Sequence, residues 1–229
     1  MATTVEVLSE AFDEMGTPFI VGHPGGETVE LMEAARNRQV RFILMKQETA
    51  GAMLASTWGE ITGSPGVCVS TRGPGAANMV NGVAHAWMDR APLIAINDQY
   101  PGATLETGMR QVMNQHALFT PITKWQTTIH AKSVRQQIRR AIRVTTSPTP
   151  GPVQFDMPSN ETMNEAGGSV AEAPLLPNVV SIEPDRKALK VPLQALSSAR
   201  RPILLVGLGV FWDKASHELV ALAERLGAP

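Results

Sequence analysis

The run Val40-Arg41-Phe42-Ile43-Leu44-Met45-Lys46-Gln47-Glu48-Thr49-Ala50-Gly51-Ala52 joins an apolar, branched segment to a helical pattern. The apolar part has the composition of a strand buried on both faces. Glu48 stands at the junction, where the strand ends and the helix starts. In an open α/β sheet that position faces the crevice where ligands bind. An acid there has two readings. It complements the positive end of the helix dipole, or it handles a proton in a partly dry pocket. The choice depends on which other loops reach the same edge.

Outward from this run, strands and helices alternate. Thr4 to Met15 has helical spacing through Val7, Leu8, Ala11 and Phe12 and stops at Gly16. Pro18 to Gly22 is a short buried strand, His23-Pro24-Gly25-Gly26 a tight loop, and Glu27 to Asn37 a helix. After the organising strand, its helix ends near Thr62-Gly63, and Gly66 to Thr71 is the next strand. Arg72-Gly73-Pro74-Gly75-Ala76-Ala77-Asn78 leads into a helix reaching Met88. Pro92 to Asn97 is a strand, Asp98 to Thr107 a loop, Gly108 to Phe119 a short irregular helix, and Thr123 to Ile129 a strand. Lys132 to Val144 is a basic amphipathic helix, and Val153 to Met157 closes the set. Six strands joined by helical crossovers predict an α/β fold with a doubly wound, mainly parallel six-stranded sheet over residues 1–160. Residues 161–182 read as a linker rich in Ala, Glu, Gly and Pro. Residues 183–229 read as the start of a second α/β domain: a helix from Pro184 to Arg201, interrupted at Pro192, a strand from Pro202 to Gly207, and a helix from Ala215 to Leu226. One βα unit cannot bury its own core, so this domain is expected to be truncated and the chain a piece of a longer protein.

Composition narrows the partners. The chain has 229 residues, 43% hydrophobic and 18% charged, with a formal net charge of −1. That balance gives no electrostatic reason to expect nucleic acid or an anionic membrane. Cys68, the one cysteine, lies in an apolar run and reads as a buried strand residue. The first residues lack a basic start and an apolar stretch, and no apolar run approaches ~20 residues, so a cytoplasmic protein is expected. The five histidines are scattered, and no His/Cys/carboxylate cluster has metal-ligand spacing. Arg135, Arg139 and Arg143 recur at helical spacing, either as a solvated face or as a stripe for a phosphate or partner.

The loops after Gly22, Met45 and Thr71 all leave carboxyl ends of strands, which a parallel sheet gathers on one edge. Glu48 therefore faces two glycine-rich loops. Neither Gly73-Pro74-Gly75, with Asn78 at the sixth position, nor Gly207-Leu208-Gly209, with Trp212 there, completes G-x-G-x-x-G. No Gly-Lys-Ser/Thr follows either, so neither is a P-loop.

Several motifs in order carry a resemblance. They are Gln47-Glu48 with Ala50 and Ala52, then Gly63 with Pro65-Gly66-Val67-Cys68, then Thr71-Arg72-Gly73-Pro74-Gly75-Ala76 with Asn78. Ala86-Trp87-Met88-Asp89-Arg90 with Pro92-Leu93, Pro121-Ile122-Thr123-Lys124, and Gly151-Pro152-Val153 with Asp156 and Pro158 follow. The set resembles thiamine-diphosphate enzymes of the acetolactate synthase group, over their pyrimidine-binding domain. Arg201 to Gly207 is weakly similar to the start of that group's central domain.

The resemblance implies a role for Glu48: hydrogen bonding to N1′ of the cofactor's aminopyrimidine. A carboxyl in an apolar pocket holds its proton more tightly, so it can share one with that nitrogen. Thr71, Pro74 and Asn78 are implied to line the pyrimidine, Pro24 and Gly25 to flank its other side, and Gln111 to reach the reacting centre. The implied reaction is decarboxylation of a 2-oxo acid and transfer of the two-electron unit, with the cofactor as electron sink. Three departures bear on the substrate. Gln47 replaces a frequent His, Arg110 to Asn114 replaces an aromatic-Gln-Glu-x-Asp segment, and Arg72 replaces a small residue. Trp125 and the Trp87 to Pro92 run also resemble aldehyde lyases of the same superfamily, so an aldehyde carboligase or lyase stays open. So does a non-catalytic or split pyrimidine-domain protein. The Gly-Asp-Gly…Asn motif that holds magnesium and the diphosphate is absent from this sequence, so magnesium ligands are expected beyond it, and the isolated chain is expected to be inactive. FAD in the central domain stays open. The implied partner is a second copy of the chain, as a homodimer or dimer of dimers.

Overall fold

Thr3 starts the first helix with a reciprocal cap. The Glu6 amide donates to Thr3 Oγ1 at 3.4 Å, and the Thr3 amide donates to Glu6 Oε2 at 2.7 Å. Hydrogen bonding to the Glu6 carboxyl from the Thr3 backbone, and then from its side chain, holds it below its ordinary pKa. The helix, α1 (Thr4–Glu14), is followed by Gly16 at φ +72°, where it stops. The computed structural model describes residues 1–107, 110–168, 176 and 183–228. They fall into two units, Met1–Asn178 and Val179–Pro229.

In the first unit β1 (Phe19–His23), α2 (Val29–Asn37), β2 (Arg41–Leu44), α3 (Glu48–Thr62), β3 (Gly66–Ser70), α4 (Pro74–Met88) and β4 (Leu93–Gln99) follow in turn. Two short helices come next, α5 (Gly102–Leu105) and α6 (Gln115–Phe119), then β5 (Trp125–Thr128), α7 (Val134–Thr146) and β6 (Pro152–Pro158). The six strands form one sheet in the order β2-β1-β3-β4-β6-β5, and every pair is parallel. The expected doubly wound α/β sheet is present. Strands β3, β4 and β6 are buried along their whole length, whereas the edge strands β2 and β5 are not. That is why β3 and β4 read as apolar runs, whereas β2, expected to be buried on both faces, is an edge strand with Arg41 and Leu44 exposed.

Two hydrophobic layers sandwich the sheet. One face carries α1, α2 and α7, with Leu8, Phe12, Leu31, Ile138 and Ile142 packed on Ile94, Ile96, Val153 and Phe155. Each such side chain, fully buried, contributes about 1.5–3 kcal/mol. The other face carries α3, α4 and α6, with Ala52, Ala55, Met79, Val83 and Phe119 on Val21, Cys68, Leu93 and Ala95. The chain leaves β1 for β2 on one side and returns past it to β3 on the other. The crevice between the carboxyl ends of β1 and β3 is the topological switch point. Among the described residues no helix is long and apolar enough to cross a membrane.

Some boundaries differ from the sequence reading. β4 runs on to Gln99, because Asp98 and Gln99 keep pairing with Met157 and Pro158 of β6. The irregular helix expected from Gly108 begins only at Gln115, capped by Asn114 Oδ1 accepting from the Ala117 amide; Gly108 and Met109 lie outside the described residues. The first part of the expected linker packs on the first unit. Glu161 Oε2 accepts from the Ala131 amide, the Ala166 amide donates to Ala2 O, and Glu165 bridges Thr3. Residues 169–175 and 177–182 of that linker lie outside the described residues.

In the second unit α8 (Lys190–Ser198) begins six residues later than expected, which places Pro192 in its first turn, where proline is tolerated. Next come α9 (Gly209–Trp212) and α10 (Ser216–Leu226), the latter stopped by Gly227 at φ +58°. Pro202 to Gly207, expected as a strand, has no strand partner among the described residues, and Ile203 and Leu205 are exposed. A strand exists only through a neighbour's hydrogen bonds, which an apolar pattern alone does not provide.

The family-like motifs divide between the two edges of the sheet. Lys124, Trp125 and Gly151 fall at amino ends of strands and Trp87 in the last turn of α4 that leads to β4, all opposite the switch-point crevice. Lys124 Nζ donates to Ser147 O at 2.9 Å and Thr149 O at 2.7 Å, and burial pulls its pKa below the ordinary lysine value. Trp125 packs edge-on against Phe155 at 5.9 Å, with Arg140 over its ring at 4.5 Å. These residues hold β5, α7 and β6 together. The basic stripe on α7 has nearby acids: Arg135 and Arg139 line a shallow groove with Glu10 and Glu14 of α1. That arrangement favours the solvated-face reading.

Candidate functional site

Glu48 is the first residue of α3, and its side chain is only 7% exposed. Asn78, one turn into α4, donates from Nδ2 to Glu48 Oε2 at 3.3 Å. Thr49 Oγ1 donates to the Asn78 carbonyl, which fixes the two helix starts against each other. Gly75, in the first turn of α4, fills the remaining side. A Cβ there would lie 2.4 Å from Thr71 Oγ1 and 3.2 Å from Glu48 Oε1. Only a residue without a side chain lets the loop sit that close to the carboxylate.

Thr71, Pro74, Asn78 and Glu48 are thus brought together as expected neighbours. Pro24 and Gly25 follow β1, the strand next to β3 in the sheet. Their turn is tied down by Thr28, which accepts from the Gly25 amide and donates to the Gly25 carbonyl, each at 3.0 Å. His23 Nδ1 donates to the Met45 carbonyl at 2.9 Å, so the ends of β1 and β2 are fixed relative to each other. Gln111 lies beside the same glycine-rich loop. Its backbone, at φ +57°, abuts Gly73, while its side chain is exposed.

Sequence reasoning missed three features. The first is an ion pair. Arg72 Nε donates to Asp98 Oδ2 at 2.5 Å, with both side chains buried, and the guanidinium lies 3.9 Å over the Tyr100 ring. The second is a buried polar chain on the α3/α4/α6 face. Asn97 donates to Ser70 Oγ at 2.7 Å, Gln154 donates to Asn97 Oδ1 at 2.9 Å and to Asp156 Oδ1 at 2.7 Å, and Gln115 donates to Asp156 Oδ1 at 2.6 Å. Its sequence signal was the alternation Val153-Gln154-Phe155-Asp156-Met157, which puts two polar residues on one face of a fully buried strand. The third is a cavity of about 620 Å³ at the carboxyl ends of β4, β5 and β6, bordered by Tyr100, Leu105, Met113, His116 and His130.

One cluster looks chemical but is a strut. His85 lies 3.3 Å from Ser56 Oγ and 3.1 Å from Asp89 Oδ2. Ser56 is fully buried within α3 and donates to the Met53 carbonyl, so no substrate reaches its hydroxyl. The arrangement braces α3 against α4. Among the described residues no group of three His, Cys, Asp or Glu side chains is arranged to hold a metal ion.

The buried Glu48 carboxylate thus lies beside a glycine-rich helix start at the switch point, the edge where open α/β sheets bind their ligands. Residues 2–118 match the family described as thiamine pyrophosphate enzyme, N-terminal TPP binding domain, and the chain belongs to that family. A probable acetolactate synthase large subunit from Methanocaldococcus jannaschii is 33% identical over 231 residues, covering 98% of this chain and 39% of that protein. The chloroplastic acetolactate synthase of Arabidopsis thaliana is 31% identical over 229 residues, covering 98% and 34% respectively. Among solved structures, a thiamine diphosphate-dependent 4-hydroxybenzoylformate decarboxylase from Rhodococcus jostii RHA1 superposes with a TM-score of 0.84 at 25% identity, covering 100% of this chain and 44% of that one. The chain spans well under half the length of these relatives.

Proposed function

We propose that the chain forms the pyrimidine-binding part of a thiamine-diphosphate enzyme that decarboxylates a 2-oxo acid and transfers the two-electron unit to an acceptor. The observation that carries this reading is Glu48, buried at the switch point with Asn78 on one oxygen and the bare Gly75 beside the other. These residues fit an aminopyrimidine: a carboxylate for a ring nitrogen, and a backbone wall close enough to pack on a flat ring. When bound, thiamine diphosphate supplies the electron sink for the substrate's breaking bond. Glu48 holds and returns the proton at N1′, Asn78 keeps its carboxylate aimed, and the loops from Pro24 to Gly25 and Thr71 to Gly75 enclose the ring. Magnesium and the diphosphate would be held by residues outside this sequence. The similarity to a decarboxylase of 4-hydroxybenzoylformate, itself a 2-oxo acid, supports a 2-oxo acid substrate over an aldehyde.

The test uses the full-length protein with thiamine diphosphate and magnesium. Carbon dioxide release from a panel of 2-oxo acids, with a carbon–carbon bond formed when an acceptor is added, is the expected result. Turnover of aldehydes alone would establish the carboligase or lyase alternative, and no turnover of either class would support a non-catalytic domain.

A second copy of the chain is the proposed partner. Val29, Leu44, Val112 and Met113 are exposed near the carboxyl edge that carries Glu48. Apolar groups gathered on one edge support a protein surface meeting it. Sedimentation of the full-length protein should give a dimer or a multiple of it, and a strictly monomeric, active enzyme would refute this arrangement.

A further inference from the structure

The amide of Gly73 connects the Glu48 pocket to the middle of the sheet. Gly73 precedes α4 at φ +59° and ψ −109°, and a Cβ there would lie 2.2 Å from the Gln111 carbonyl oxygen. Having no side chain, it cannot cap α4 itself. Its N–H instead donates to Gln115 Oε1 at 2.8 Å. Gln115 is 1% exposed and uses both ends of its amide, with Nε2 donating to Asp156 Oδ1 at 2.6 Å and to the Asp98 carbonyl at 3.2 Å. The orientation is forced, because a backbone N–H only donates and a carboxylate or carbonyl only accepts. Asp156 is fixed in turn from β6 by Gln154. Two residues beyond Gly73, Gly75 packs against Thr71 and Glu48.

We propose that Gln115 is a positioning residue: it transfers the rigidity of β6 to the Gly73 amide and so sets the distance between the glycine-rich loop and the Glu48 carboxylate. This assignment rests on the proposed thiamine-diphosphate reading for its functional half only. Its placement of the loop stands on the hydrogen bonds alone. Gln115 and Asp156 also line the 620 Å³ cavity, so the clamp forms part of the wall between that cavity and the loop.

The test is amide hydrogen–deuterium exchange on the 229-residue chain, read on peptides covering residues 72–78 and 152–158. Gln115→Met keeps the length and removes every hydrogen bond. Gln115→Asn keeps the amide but is one methylene too short to span Gly73 and Asp156. Losing a buried partner of this kind predicts exchange about tenfold faster in 72–78, with 152–158 unchanged. Selective loosening in either variant supports the clamp. No change in 72–78 in both, or equal acceleration of both peptides up to outright unfolding, overturns it. In the full-length holoenzyme, Gln115→Met should slow deuterium exchange at the cofactor's C2 about tenfold while thiamine diphosphate affinity moves less than about threefold. An unchanged C2 rate beside a loosened loop would overturn the functional half. A wild-type protein that fails to bind thiamine diphosphate would instead overturn the proposed function and leave the loop result standing.

Discussion

Glu48→Gln in the full-length protein, loaded with thiamine diphosphate, is expected to slow deuterium exchange at the cofactor's C2 by about 10²–10⁴-fold, the usual effect of losing a positioned proton transfer. The substitution is close to isosteric. The glutamine carbonyl can still accept from Asn78 Nδ2, which now donates to Glu48 Oε2 at 3.3 Å, so the two helix starts should remain together. What disappears is the ability to hold and return a proton at the ring nitrogen. If Glu48 were only a helix-start acid, the change would leave exchange alone and remove about 0.3–1 kcal/mol of stability. Exchange rates and thermal melts on the same two proteins separate these outcomes.

Arg72→Met is expected to produce the largest loss of stability of any single change at this edge. It leaves the Asp98 carboxylate buried without the guanidinium that now donates to it at 2.5 Å. Breaking a buried pair from one side typically destabilises by about 3–5 kcal/mol, and the stacking of Arg72 on Tyr100 is lost as well. For a unit of this size that corresponds to a melting point lower by roughly 10 °C. The double variant Arg72→Met/Asp98→Leu removes the buried charge as well and should recover a substantial part of the loss. A melting point within about 2 °C of wild type for Arg72→Met would show that the pair is not desolvated.

Arg72 also shows where reading the sequence reached its limit. As a departure from a small residue beside Gly-Pro-Gly, it pointed toward the substrate. In the folded chain it turns toward Asp98 and Tyr100, partners 26 and 28 residues away that no local pattern announces. Gln115 was invisible for the same reason. Its three partners, Gly73, Asp98 and Asp156, lie 42, 17 and 41 residues away, so its position reads locally as a polar helix start.

The sheet was legible because its signals are local. Apolar runs for β3 and β4 and the apolar–polar alternation of β6, with helix-stopping glycines at Gly16 and Gly63, give strand and helix order directly. Parallel order then places Glu48, Pro24 to Gly25 and Thr71 to Asn78 on one edge without any contact being known. The Asn78 bond to Glu48 and the Gly75 approach follow from how closely α3 and α4 pack, which spacing does not encode. Pro202 to Gly207 failed in the opposite sense: its apolar pattern was clear, but a strand also needs a neighbour.

The most direct test of the account is a crystal structure of the full-length protein with thiamine diphosphate bound. The pyrimidine should lie between Pro24–Gly25 and Thr71–Asn78, with a Glu48 carboxylate oxygen within about 2.6–3.2 Å of N1′. A pyrimidine held elsewhere, or a Glu48 carboxylate turned away with only Asn78 as its partner, would contradict it.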